Sequence, residues 1–174
     1  MEIHKYEKFW FGLSLLLIVA FIGTITYGAV GAGVEMVSDD GGNVEPDNIA
    51  ENEKFQKYQN ANATKVDDGE YAVAVQALQF AFLPGTGQPI RVPENSEVTF
   101  YITSSDVTHG FNIVGTNVNT MAIPGQMGEM TVEFGEYDEP ETFGIVCHEF
   151  CGAGHENMAG QIEVVPEEQW EGDQ

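Results

Sequence analysis

The first apolar pattern in the chain is unbroken. The 26 residues from Phe9 through Leu15-Leu16-Leu17-Ile18-Val19 to Val34 carry no charged side chain. A helix rising about 1.5 Å per residue would reach roughly 39 Å over that stretch, enough to cross a hydrocarbon core of about 30 Å with some tilt. The pattern then disappears. Residues 35 to 69 are acidic and polar without apolar periodicity, with Asp39-Asp40-Gly41-Gly42 as a breaker and Pro46-Asp47 as a helix start. This predicts a linker containing one short helix that reaches Asn60.

From Tyr71 onward the period shortens to two. Candidate strands run over Tyr71 to Phe80, Ile90 to Val92, Val98 to Thr103, Phe111 to Val114, Met130 to Phe134, Thr142 to Cys147 and Gln161 to Val165. Gly, Pro, Asn and Asp separate them, which predicts a mainly β domain, a small sandwich or barrel. The chain thus divides into 1–8, a short N-terminal segment; 9–34, the span; 35–69, the linker; 70–166, the β domain; and 167–174, an acidic tail.

Lys5 and Lys8 precede the span, while Glu35, Asp39 and Asp40 follow it. The bias of positive charge toward the cytoplasmic side puts the N-terminus inside and the β domain on the outer face of a cell membrane. Trp10 and Tyr27 read either as interfacial anchors or as ordinary lipid-facing aromatics. A cleaved signal peptide is the alternative to a retained anchor, since Gly28-Ala29-Val30-Gly31-Ala32 resembles a cleavage region. The apolar run, however, exceeds the roughly 7 to 15 residues usual for such a leader.

Charge narrows the partners. The chain has 28 acidic against 6 basic residues, a formal charge of −22, and after Lys65 its only basic residue is Arg91. Such a surface excludes nucleic acid. Spread along the chain, the acids self-repel unless salt screens them, which points to a halophilic setting; a docking face for a basic electron donor is the other reading.

The chemistry is concentrated in Cys147-His148-Glu149-Phe150-Cys151-Gly152-Ala153-Gly154-His155-Glu156-Asn157-Met158, with His109 upstream in Asp106-Val107-Thr108-His109-Gly110-Phe111. Thiolate and thioether favour copper, and imidazole suits copper, zinc, iron or nickel. A single blue-copper ion would use one Cys, two His and a weak Met, leaving a thiol over. Two coppers bridged by both thiolates would use every donor. Zinc in a Cys2His2 set leaves the thioether unexplained, and a Cys147–Cys151 disulfide leaves both His155 and Met158 unexplained. Taken alone, Met158 reads as core and His109 as a hydrogen-bonded polar histidine.

The spacing C-x-E-x-C-x3-H-x2-M with an upstream D-V-x-H resembles cytochrome c oxidase subunit II, in particular the short single-span type that accompanies ba3-class oxygen reductases. The likeness extends through Tyr6-Glu7-Lys8, Tyr71, Phe80-Ala81-Phe82, Ile102 to Phe111, Gly115-Thr116-Asn117 and Gly160. It implies a cupredoxin-like Greek-key barrel with a binuclear copper centre, CuA. Cys147 and Cys151 would bridge the coppers, His109 and His155 would be terminal ligands, Met158 a weak axial ligand, and Glu149 a ligand through its main-chain carbonyl. The Glu149 carboxylate would be available to a magnesium ion shared with subunit I.

Asp106 reads either as a brace for the His109 loop or as a turn residue. Long-chain relatives receive electrons through a Trp-containing aromatic cluster; this chain offers Phe80 and Phe82 there. The implied function is an electron relay in the membrane, from a soluble cytochrome c or small blue-copper protein to haem in subunit I, where oxygen is reduced. A nitric oxide reductase small subunit and a copper-storage module are the competing readings.

Overall fold

The computed structural model of the chain describes residues 4–31 and 40–172. It divides into two units, Met1–Val34 and Glu35–Gln174. The first is a helix, α1 (Lys5–Thr26), continued by a π-helical turn at Tyr27–Gly31. His4 caps it: its backbone N–H donates to Glu7 Oε2 at 2.8 Å, satisfying a donor that the first turn leaves free. None of its described residues is buried, and from Phe9 onward it carries no charged side chain, so this unit has the length and surface of a membrane-spanning helix. Residues 32–34 of the expected span, and the flanking Glu35 and Asp39, lie outside the described residues.

The second unit is mainly β, as expected. Among the described residues its strands are β1 (Gly42–Asn43), β2 (Thr64–Asp67), β3 (Glu70–Leu78), β4 (Ala81–Leu83), β5 (Ile90–Pro93), β6 (Ser96–Ser104), β7 (His109–Ile113), β8 (Asn119–Ala122), β9 (Gln126–Phe134), β10 (Glu141–Val146) and β11 (Ala159–Val165). One sheet runs β1-β9-β6-β3-β2 with β4 on β3, and the other runs β5-β11-β10-β7-β8. β3 lies parallel to β6, and β5 lies parallel to β11, so crossovers tie the two sheets together.

Alternation sets the faces. In β6, Val98, Phe100 and Ile102 are buried while Glu97 is exposed, and in β9 Met130, Val132 and Phe134 turn inward. They meet Phe82 of β4 in the same sheet, and Phe111, Ile113, Ile145 and Ile162 from the opposite layer. Each such side chain contributes about 1.5–3 kcal/mol by leaving water. β3 breaks the alternation: Tyr71 through Val75 are buried without interruption.

The cause is a correction to the expected linker. Over its described part that segment is packed on the barrel. A 3₁₀ turn at Pro46–Glu51 and a short helix, α2 (Glu53–Tyr58), bring Val44, Ile49 and Phe55 onto Ala74 and Met127, making a second apolar cluster outside the sheet. Asn52 caps α2 by accepting the Lys54 N–H at 3.0 Å. Lys54 then lies 3.8 Å from the centre of the Tyr101 ring and 3.1 Å from Glu129 Oε2. Three apolar residues at wide, irregular spacing give no periodic signal, which is why the sequence reads as linker. The acidic tail is likewise partly docked, with Trp170 meeting Tyr71 edge to face.

Topology brings the chemistry to one end. β10 lies between β7 and β11, with Val146 opposite both Asn112 and Ala159, so the chain leaving β10 runs beside the first residues of β7. The turn after β3 is adjacent as well, because Ala77 pairs with Ser104 and accepts the Ser105 N–H.

Candidate metal centre

The loop from 147 to 158 closes on itself. The Cys147 N–H donates to the Met158 carbonyl, and His155, Asn157 and Met158 donate to the carbonyls of Gly152, Gly154 and His155. Gly154 has φ +125°, and a Cβ there would stand 2.8 Å from the Phe80 ring, so glycine serves both the turn and the contact. Gly110 gives similar room to the His148 ring, which packs against its backbone from the loop that follows β10.

Inside this frame the donors converge. Cys147 Sγ and Cys151 Sγ are 3.8 Å apart, Cys151 Sγ lies 3.7 Å from both His155 Nδ1 and Met158 Sδ, and His109 Nδ1 lies 3.2 Å from Met158 Sδ. The Glu149 carbonyl is 3.1 Å from Cys147 Sγ. Donors sharing one ion through bonds of about 2.0–2.3 Å would sit roughly 3.3–3.8 Å apart in a tetrahedron, so these separations suit metal bonds. They do not suit a disulfide, whose sulfurs are about 2.05 Å apart, and both thiols are free. His109, Cys147 and Cys151 form a cluster able to hold a metal ion, and all three are buried.

His109 has its orientation fixed from behind. Its Nε2 stands 2.8 Å from Asp106 Oδ1, and the ionised carboxylate can only accept, so Nε2 carries the proton and Nδ1 keeps its lone pair toward the sulfurs. Asp106 is itself held by the Gln79 N–H at 2.8 Å, the Val107 N–H at 2.6 Å and the Ser104 hydroxyl at 3.2 Å. Burial works against its charge, but the bonds from His109, Gln79 and Val107 outweigh that and hold the carboxyl below its ordinary value. Asp106 therefore does act on His109, and the turn bonds belong to the same carboxylate.

Cys151 behaves in the opposite way. Burial, reinforced by the hydrogen bond and charge of Cys147, pushes its thiol up to about 11. A thiol held this way gives up its proton readily only beside positive charge, which a bound metal ion would supply. Soft sulfur beside imidazole is a copper-type set. Two sulfurs from cysteine, two imidazoles, a thioether and a carbonyl also exceed the four positions of one tetrahedral ion.

The two aromatics separate. Phe82 is fully buried, edge to face with Phe111 at 5.4 Å, and cannot meet a partner. Phe80 is half-buried and covers Gly152 and Gly154 of the metal loop. Phe150, 76% exposed, projects from the same loop and lies 6.1 Å from the His155 ring. Sequence reasoning gave no role to Gln79, which acts through bonds to distant Asp106 and Cys151, or to Ser104, which bonds Asp106 and Val107 in its own turn. A hollow of about 550 Å³, lined by Glu97, Thr131, Tyr137 and Phe143 among others, shares no residue with the donor cluster. The donor side chains of His109, Cys147, Cys151 and Met158 are packed in the interior.

Comparison with known proteins agrees with this arrangement. The sequence profile of the family described as cytochrome C oxidase subunit II, periplasmic domain, matches residues 50–165. A cytochrome c oxidase subunit 2 of Thermus thermophilus is 34% identical over 167 residues, 91% of each chain. A chain from a heme-copper terminal oxidase dimer seen by cryo-electron microscopy superposes with a TM-score of 0.63 at 31% identity, over 92% of this chain and 99% of that one. The periplasmic domain of cytochrome oxidase subunit II from Bradyrhizobium japonicum, 22% identical with a TM-score of 0.50 over 60% of this chain and 91% of that one, shares the cupredoxin-like fold.

Proposed function

Because the chain belongs to the cytochrome c oxidase subunit II family, we propose that it is the electron-receiving subunit of a haem-copper oxidase, with a binuclear copper centre held by His109, Cys147, Cys151, His155, Met158 and the Glu149 carbonyl. The observation that carries this reading is the convergence of two free, buried thiols with His109 Nδ1 and Met158 Sδ at 3.2–3.8 Å. A copper pair bound there would supply a one-electron store between a soluble cytochrome c or small blue-copper protein and haem in subunit I.

The chain's own residues make that store fast. Asp106 keeps the His109 proton on Nε2, so the ring does not turn as charge comes and goes. Strand ends and a self-bonded loop fix the sulfurs, and burial keeps water from rearranging around them. Small structural change on charging means a low barrier. Phe80, lying between the loop and solvent, is the aromatic suited to receive the electron, whereas Phe82 belongs to the core.

The Glu149 side chain, half-buried beside the centre, would reach a magnesium ion shared with subunit I. α1 would anchor the protein in the cell membrane, N-terminus inside and copper domain outside, an orientation set by Lys5 and Lys8 in its first turn. The acidity of the whole chain suits a saline exterior, and neither copper storage nor nitric oxide reduction has a feature here in its favour.

The experiment is copper loading of the full-length chain in detergent. Two coppers per chain, a purple colour and a seven-line hyperfine pattern from one electron on two equivalent nuclei are expected. One copper with a four-line pattern, or preferred zinc, would refute the binuclear centre.

A further inference from the structure

Gln79, just past the end of β3, touches both ligand-bearing segments and belongs to neither. Its backbone N–H donates to Asp106 Oδ2 at 2.8 Å, on the carboxylate whose other oxygen holds His109. Its side-chain Nε2 donates to the Cys151 carbonyl. A Cβ built on Gly152 would stand 2.7 Å from that same nitrogen, so the amide lies directly over the Cys151–Gly152 peptide.

That peptide is a sensitive place. Gly152 has φ +134° and opens the turn toward His155, so rotation of the peptide would displace Cys151 Sγ on one side and the His155 turn on the other. β3 is buried along most of its length and paired on both edges, which makes its end a rigid support.

We propose that Gln79 is a positioning residue for the copper centre, a strut that joins the Asp106–His109 arm to the Cys151 loop and fixes their separation. The inference rests on the copper function proposed above. It divides into two bonds with different origins. The bond to Asp106 comes from the backbone and survives any side-chain replacement except proline. The bond to Cys151 comes from the side chain alone, so a substitution isolates it.

The test uses the full-length chain in detergent, loaded with copper, as the parent and as Gln79→Met and Gln79→Glu. Both replacements preserve length and remove the donor. Three quantities are read: the rate of copper loss to a chelator, the copper hyperfine pattern, and the melting temperature without metal. Both variants are expected to lose copper about tenfold faster or more, with altered hyperfine splitting and an unchanged metal-free melting temperature.

Parental release and spectra in the variants would overturn the proposal. So would faster release accompanied in both by a lower metal-free melting temperature, or failure to fold, since the residue would then be structural only. If the parent itself does not hold two coppers, the copper function fails before any variant is compared, and this proposal falls with it.

Discussion

His109 and Asp106 face each other across one turn of chain, with Nε2 2.8 Å from Oδ1, and this bond aims the opposite ring nitrogen at Met158 Sδ, 3.2 Å away. Replacing Asp106 by Ala leaves the Nε2 proton and the Gln79 N–H without their acceptor. Copper affinity is expected to fall about 10- to 100-fold, as for other residues that orient a metal-bound imidazole. Competition with a chelator of known affinity measures it; an unchanged affinity would show that His109 needs no brace.

The sulfur donors should divide by role. Cys147→Ser or Cys151→Ser is expected to abolish the binuclear spectrum, because each buried thiol faces the other at 3.8 Å and neither has a substitute nearby. Met158→Leu keeps the buried volume and should retain two coppers with a shifted reduction potential. Electron paramagnetic resonance and potentiometry distinguish the two outcomes.

Phe55 ties the segment before the barrel to Ala74 and Met127 and is buried. Phe55→Ala should cost about 3–5 kcal/mol, the usual range for emptying a buried aromatic site. For the same reason a fragment beginning at residue 66 should melt below one beginning at residue 40. Equal melting temperatures would mean that the outer cluster contributes nothing.

Glu94 supplies a pH-dependent clamp. Its carboxylate accepts the Tyr137 N–H and the Glu167 N–H, each at 2.8 Å, and these two bonds hold it below the ordinary range against a small opposing effect of burial. A depressed folded value stabilises above the unfolded value, near pH 4.3, and the gain is lost as pH falls through the folded value. The parent should therefore exceed Glu94→Gln in stability at neutral pH and converge with it in acid. Denaturant melts at several pH values test this; a constant gap would reject it.

Glu70, Glu97 and Glu133 stand in one register row across three strands, all exposed. Like charges directly opposed repel, and molar salt with a screening length of about 3 Å suppresses that repulsion. Glu97→Gln should raise the melting temperature in dilute buffer and have little effect in concentrated salt. An equal gain in both would place the strain elsewhere.

Much of this was legible in the chain. Period-two runs such as Val98-Thr99-Phe100-Tyr101-Ile102 report one wet and one dry face, and tertiary packing did not override them. The candidate loop was legible because Cys147, Cys151, His155 and Met158 lie within twelve residues, close enough for spacing alone to suggest a shared site. The packed segment around Ile49 and Phe55 was not, because its partners Ala74 and Met127 are far along the chain and short helices held by them need no repeat of their own.

By itself the sequence determined the apolar helix and the β class and marked the candidate donors, since these follow from local periodicity and from side-chain chemistry. Tertiary structure decided that Phe82 is core while Phe80 covers the metal loop, that Asp106 holds the back of His109, and that Gln79 reaches Cys151. Those relations depend on which strand ends become neighbours when two sheets close on a common core, and chain distance carries no record of that closure.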